Sequence, residues 1–172
     1  MENKQTVLIF EGHDQSGKTT IAKAMSAELS IPYFKIERVD RWWDPEINVK
    51  YTTSALTDFI RQTNANVILD RWHLSDYMYG MLFKRSVDSG RIFEIDRVLA
   101  KMNASIVICY KDPEKYQADP KDSEYVAAKD YERMTDIYKT LIKWSNCKTL
   151  LLNTSDENLK GQIDRIKQHI AL

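Results

Sequence analysis

The sequence predicts an α/β fold, a parallel β-sheet covered by helices, and three observations carry that expectation. Five short apolar runs recur along the 172 residues, separated by longer stretches of helical periodicity. A glycine-rich loop of the phosphate-cradling type joins the first apolar run to the first helical stretch. No repeat, low-complexity block or linker interrupts the alternation, so one domain spanning residues 1–172 is expected.

The elements follow in order. Val7, Leu8, Ile9 and Phe10 make a continuous apolar run suited to a central parallel strand, which is covered on both faces. After Lys18, Ile21, Met25 and Leu29 recur at helical spacing. A second strand is expected at residues 33–36, a helix before Asn64, and a third strand at 67–69. Helical stretches at 73–84 and 91–102 lead to a fourth strand at 106–110. Segment 111–124 holds Pro113, Pro120 and several charges but few apolar side chains, and reads as an exposed loop. It leaves a strand at the carboxyl edge, where open α/β sheets bind ligands, so a lid and a plain surface loop are both compatible with it. A helical stretch at 124–144, a fifth strand at 150–152 and a helix at 157–170 complete the chain. For that last helix, Thr154 and Glu157 fit a capping box, and Leu159, Ile163, Ile166 and Ile170 form one apolar stripe.

Composition narrows the function classes. Lys plus Arg number 25 and Asp plus Glu number 25, so net charge gives no reason to expect nucleic-acid or membrane attraction. The first five residues lack a signal-peptide core and no apolar run approaches bilayer length, so a cytoplasmic location without a membrane partner is expected. Cys109 and Cys147 offer neither a disulfide framework nor a metal cluster, and both are expected to be reduced. His13, His73 and His169 have no zinc-ligand spacing.

The chemistry concentrates in Gly12-His13-Asp14-Gln15-Ser16-Gly17-Lys18-Thr19, which fits Gly, four residues, Gly-Lys-Thr without a mismatch. Such a loop points several backbone N–H groups at phosphate oxygens, and glycines sit where a Cβ would obstruct that approach. Lys18 would reach the β- and γ-phosphates of ATP, and the Thr19 hydroxyl would hold Mg²⁺. A second constellation follows the third strand: Asp70 is placed to face that Mg²⁺ or one of its waters, and Arg71 can fork onto a phosphate. Alone, the pair also reads as a solvated strand-end ion pair.

Together these segments resemble the thymidylate kinase family of nucleoside monophosphate kinases. Phe10-Glu11-Gly12-His13-Asp14-Gln15-Ser16-Gly17-Lys18-Thr19-Thr20 is similar to the family's Phe-Glu-Gly, any residue, Asp, two residues, Gly-Lys-Thr-Thr loop. Asp70-Arg71-Trp72-His73-Leu74-Ser75, then Tyr79, is similar to its Asp-Arg-Tyr, two residues, Ser, later aromatic. The match covers most of the first half of the chain; the second half matches mainly in layout. The resemblance implies a three-layer P-loop kinase fold with a five-stranded parallel sheet. It also implies transfer of the ATP γ-phosphoryl group to a deoxynucleoside monophosphate, dTMP or a related pyrimidine. By that analogy residues Gly12 to Thr20 hold the nucleotide, Asp14 contacts the acceptor sugar, Arg71 grips the acceptor phosphate, and Ser75 and Tyr79 lie near its base. Homodimerisation enters on the same footing.

Two departures stand out. The family's Glu-Pro-Gly after the second strand is replaced by Glu37-Arg38-Val39-Asp40-Arg41-Trp42-Trp43, where Arg38 and Trp42 are candidate acceptor contacts as well as ordinary surface or core residues. The catalytic arginine of the loop or lid is also absent: Gln15 occupies the loop position and Lys111, Lys115 and Lys121 the lid, with Arg133 on the following helix another source of charge. A deoxynucleoside kinase using Glu37 as base, and a nucleotide-binding module without catalysis, are the competing readings.

Overall fold

The computed structural model describes residues 5–35, 52–115, 130–156 and 158–170. Five strands, β1 (Val7–Gly12), β2 (Tyr33–Lys35), β3 (Val67–Asp70), β4 (Ser105–Tyr110) and β5 (Lys148–Asn153), form one sheet in the order β2-β3-β1-β4-β5. Every pairing is parallel. The helices are α1 (Lys18–Leu29), α2 (Ser54–Thr63), α3 (His73–Leu82), α4 (Ser89–Lys101), α5 (Asp130–Leu141) and α6 (Leu159–Ile170). This is the expected five-stranded α/β arrangement, and it follows from the parallel pairing, since each crossover must return over a face of the sheet.

The two-residue period of β1 divides the core. Val7 and Ile9 face a layer that includes Ile60 of α2, Leu74 and Met78 of α3, Leu99 of α4 and Met134 of α5. Leu8 and Phe10 face the opposite layer, with Ile21, Ala22 and Met25 of α1 and Ile166 of α6. Register then positions the site. Phe10 pairs with Asp70 and Gly12 with Cys109, so the exits of β3 and β4 flank the loop leaving β1.

Several boundaries differ from expectation. The helix expected to reach residue 84 ends at Leu82, and Lys84 has φ 52°, left-handed backbone that stops a helix. The capping box expected for α6 is not formed by Thr154: the Asn158 side chain accepts the Gly161 N–H at 3.0 Å, and Glu157 lies outside the described residues. Leu159, expected in the apolar stripe of α6, is exposed on its first turn, while Ile163 and Ile170 pack partly buried beside Ile166. Of the expected helix at 124–144, residues 124–129 lie outside the described residues and α5 covers Asp130–Leu141. Both cysteines are buried and free. Among the described residues, no helix is long and apolar enough to cross a membrane.

Candidate nucleotide site

The loop between β1 and α1 is shaped by two glycines. Gly12 has φ 136°, and a Cβ there would sit 2.1 Å from the Cys109 carbonyl oxygen of β4. Gly17 has φ 81° and is the N-cap of α1, so the helix begins with its amides free to meet an anion. Gln15 adopts φ 60°, a conformation rarely taken by a non-glycine residue. The Ser16 hydroxyl is buried without a hydrogen-bond partner, the kind of polar atom a bound anion satisfies. Thr20 lies on the exposed side of the first turn of α1.

Lys18 is buried, and its ammonium folds back to donate to the His13 carbonyl at 3.2 Å. Burial, reinforced by the Arg71 cation, lowers its pKa to about 8. His13 joins the loop to the exit of β4. The Lys111 N–H donates to His13 Nε2 at 3.3 Å, so the ring proton sits on Nδ1, which donates to the Asp14 carbonyl at 3.0 Å. Burial first, with the Lys18 and Arg71 charges, holds the His13 pKa down at about 3, and the ring packs 3.6 Å from Tyr131. Thr154 closes the other side: its hydroxyl lies 2.8 Å from the Ser16 carbonyl and 3.0 Å from the Tyr110 carbonyl.

The two residues expected to hold a metal meet. The Thr19 hydroxyl donates to Asp70 Oδ2 at 2.6 Å, and Tyr33 donates to the same oxygen at 2.7 Å. The other oxygen, Asp70 Oδ1, is buried without a partner. The Thr19 hydroxyl and the orphaned Asp70 oxygen beside a phosphate loop fit Mg²⁺, which takes oxygen ligands.

On the other side of the loop lies a side-chain cluster. Arg71 donates to the Gly12 carbonyl at 3.1 Å and forms an ion pair with Asp14 Oδ1. The Tyr79 hydroxyl donates to Asp14 Oδ2 at 3.0 Å, and the guanidinium lies 5.2 Å from the Tyr79 ring centroid. Burial pushes the Asp14 carboxyl up, but the Arg71 and Lys18 cations and the Tyr79 hydroxyl together hold it below its ordinary value. Arg71 has φ 66°, a left-handed backbone that costs about 1–2 kcal/mol outside glycine. The surrounding structure fixes it: the Arg71 N–H donates to the Phe10 carbonyl at 2.8 Å.

Glu11 anchors the turn that follows. This carboxylate is fully buried in β1, and its Oε1 accepts the N–H groups of Trp72, Leu74 and Ser75 at 3.0, 3.1 and 3.3 Å. Oε2 accepts the Ser75 hydroxyl, which also lies 3.0 Å from the Tyr138 hydroxyl of α5. Burial raises the Glu11 pKa against these hydrogen bonds. One residue further on, His73 Nε2 lies 3.2 Å from Asp96 of α4, a carboxylate that also accepts from Ser145 and Asn146. Trp72 is buried, and its indole N–H donates to Thr57 at 3.0 Å.

The structure therefore brings together Gly12, Asp14, Lys18, Thr19, Asp70, Arg71 and Tyr79. Ser75 is buried, with its hydroxyl turned toward Glu11 and Tyr138. Arg38 and Trp42 lie outside the described residues, as do residues 116–124 of the expected lid. Lys115 donates to the Ser155 carbonyl at 3.1 Å, and Asp112 Oδ1 accepts from Asn153 at 2.9 Å, so the start of that segment is held against the exit of β5. Arg133 sits on the face of α5 opposite Tyr131 and lines an outer groove of about 620 Å³ with Tyr77, Met81, Phe93 and Trp144. Sequence reasoning gave Glu11, Tyr33 and Thr154 no role in the site, and placed His13 within the loop without one. The detectable signal was Glu11, a carboxylate in an otherwise apolar central strand, which burial obliges to find donors.

No protein-family model matches the chain. It is 27% identical over 165 residues to the SPbeta prophage-derived uncharacterized protein YorR of Bacillus subtilis strain 168, covering 92% of this chain and 97% of that one. The crystal structure of YorR in complex with phosphorylated GDP superimposes with a TM-score of 0.71 at 24% identity, covering 96% of each chain. The thymidylate kinase of Ehrlichia chaffeensis gives a TM-score of 0.61 at 15% identity, covering 98% of this chain and 99% of that one. The deoxyadenosine kinase of M. mycoides with bound dATP gives 0.57 at 16%, covering 96% and 99%. The chain has the fold that YorR and these two kinases share.

Proposed function

We propose that this chain is an ATP- and Mg²⁺-dependent kinase that transfers the γ-phosphoryl group to a deoxynucleoside monophosphate, dTMP or a related pyrimidine deoxynucleotide, forming the diphosphate. One observation carries the reading: the phosphate loop itself holds an arginine fork, through the Asp14 to Arg71 ion pair beside Lys18. A loop that only cradled one nucleotide would need no second phosphate-gripping cation on its far side.

In this reading an oxygen of the acceptor phosphate attacks the γ-phosphorus and ADP leaves. Amides at the start of α1 and the Lys18 ammonium bind the donor phosphates, and Lys18 gives up its contact with the His13 carbonyl to do so. Arg71 binds the acceptor phosphate, oriented by Asp14 and by the Gly12 carbonyl. Thr19 and Asp70 would hold Mg²⁺, which when bound neutralises charge on the donor phosphates. Lys18 and Arg71 supply positive charge at the transferring group from opposite sides.

The deciding experiment incubates the protein with ATP, Mg²⁺ and each deoxynucleoside monophosphate, and measures diphosphate formed. A pyrimidine deoxynucleotide is the expected acceptor, and no turnover of any monophosphate would sink the proposal. The likeness to deoxyadenosine kinase favours one other reading, phosphorylation of a deoxynucleoside hydroxyl. The same assay with thymidine and deoxyadenosine separates the two.

A further inference from the structure

The acceptor arginine stands on a strained backbone in a chain whose central strand grips it at successive positions. The Phe10 carbonyl holds the Arg71 N–H, the Glu11 carboxylate holds the N–H of Trp72, and the Gly12 carbonyl holds the guanidinium. Of these, Glu11 is the one side chain. Three converging N–H groups and a hydroxyl make its carboxyl the hydrogen-bond acceptor at the N-terminus of α3. Its charge also lies close enough to that of Arg71 for each to favour the other's ionised form.

Resting on the kinase reading above, we infer that Glu11 is a positioning residue for the acceptor phosphate, acting through Arg71: it pins the turn after Arg71 so that the guanidinium is preset to fork onto that phosphate. Glu11 touches no substrate. Its effect is to remove the alternative backbone states of residues 71–75 that would swing the fork out of line. The Ser75 to Tyr138 contact extends the same anchor to α5.

The distinction from a merely structural role is selectivity. Glu11 lies next to Gly12, so a general loosening of β1 would weaken donor and acceptor alike, whereas loss of an anchor for residues 71–75 falls on the acceptor. In Glu11→Gln the shape is kept, the charge is lost, and an NH₂ faces the Ser75 hydroxyl that now donates to Oε2.

The test is calorimetric titration of the full chain with ATP and with each of the four deoxynucleoside monophosphates, for wild type, Glu11→Gln, Arg71→Ala and the double variant. Expected for Glu11→Gln is a loss of about 10- to 100-fold in affinity for the monophosphate wild type binds best, with ATP affinity within about twofold. The double variant should bind no more weakly than Arg71→Ala alone, because both changes remove one function. Equal losses for ATP and monophosphate, additive losses in the double variant, or unchanged monophosphate binding would each overturn the inference. Wild-type protein that binds no monophosphate would overturn the kinase reading and this inference with it, an outcome visible before any variant is made. Glu11→Gln that fails to unfold cooperatively in urea would assign Glu11 to the fold and also overturn it.

Discussion

The two halves of the site are built from different material. The half that would take the donor is backbone: two glycines, a helix N-terminus and one lysine, arranged within residues 12–19. The acceptor half is side chain on side chain, Asp14 to Arg71 to Tyr79, supported by a carboxylate buried behind it. Backbone geometry is set by which residues lack a Cβ, although the atom that excludes a Cβ at Gly12 belongs to β4. Side-chain geometry is set by partners more than fifty positions away, and is therefore only as rigid as the packing that presents them.

The sharpest way to break the comparison is Lys18→Ala. Phosphoryl transfer should fall by at least about 10³-fold, measured as kcat, with a cooperative urea transition retained. The lysine also gives the donor half its own pH signature. Its pKa in the ligand-free protein is about 8, and bound phosphate must raise it, so nucleotide affinity should be full below pH 8 and decline as pH rises through that value. Titration in buffers of different ionisation enthalpy should show proton uptake on binding near pH 8, and Lys18→Ala should abolish it.

Next in size is Gly12→Ala. The added Cβ meets a main-chain oxygen of β4 at 2.1 Å, so the strand itself must move, and a loss of about 2–5 kcal/mol in urea denaturation is expected. Arg71→Lys probes the other half. It keeps the charge and removes the fork, so acceptor KM should rise about 10- to 100-fold while ATP KM is unchanged. The smallest effect is Gly17→Ala. Its Cβ would meet Thr154 atoms at an ordinary 3.7 Å, leaving only the φ of 81°, worth about 1–2 kcal/mol of stability. If Gly17→Ala proved costlier than Gly12→Ala, the contrast between steric and conformational control of this loop would be wrong.

The same contrast explains what could be read beforehand. The strands were legible because each carries a short apolar run, nearly unbroken in the central strands covered on both faces, and the helices because a covering helix must repeat its apolar face. The donor loop was legible because its glycines and lysine occupy fixed spacings. The acceptor cluster was reached through resemblance, as a set of residues without their connections: the sequence does not say that Ser75 turns inward to Glu11, or that Tyr79 donates to Asp14. Helix ends were missed for a related reason. Thr154 has the right residue type and spacing to cap α6, but its hydroxyl is taken by carbonyls of the loop and of β4, and Asn158 caps instead.

That Thr154 contact joins residues 138 positions apart. During synthesis the phosphate loop emerges well before β5, so the loop stands without its closing hydroxyl until Thr154 has followed it out of the ribosome. A nascent chain lacking β5 is thus expected to have the motif without the tightened loop, and nucleotide capture becomes a late event of folding, coupled to docking of the final strand.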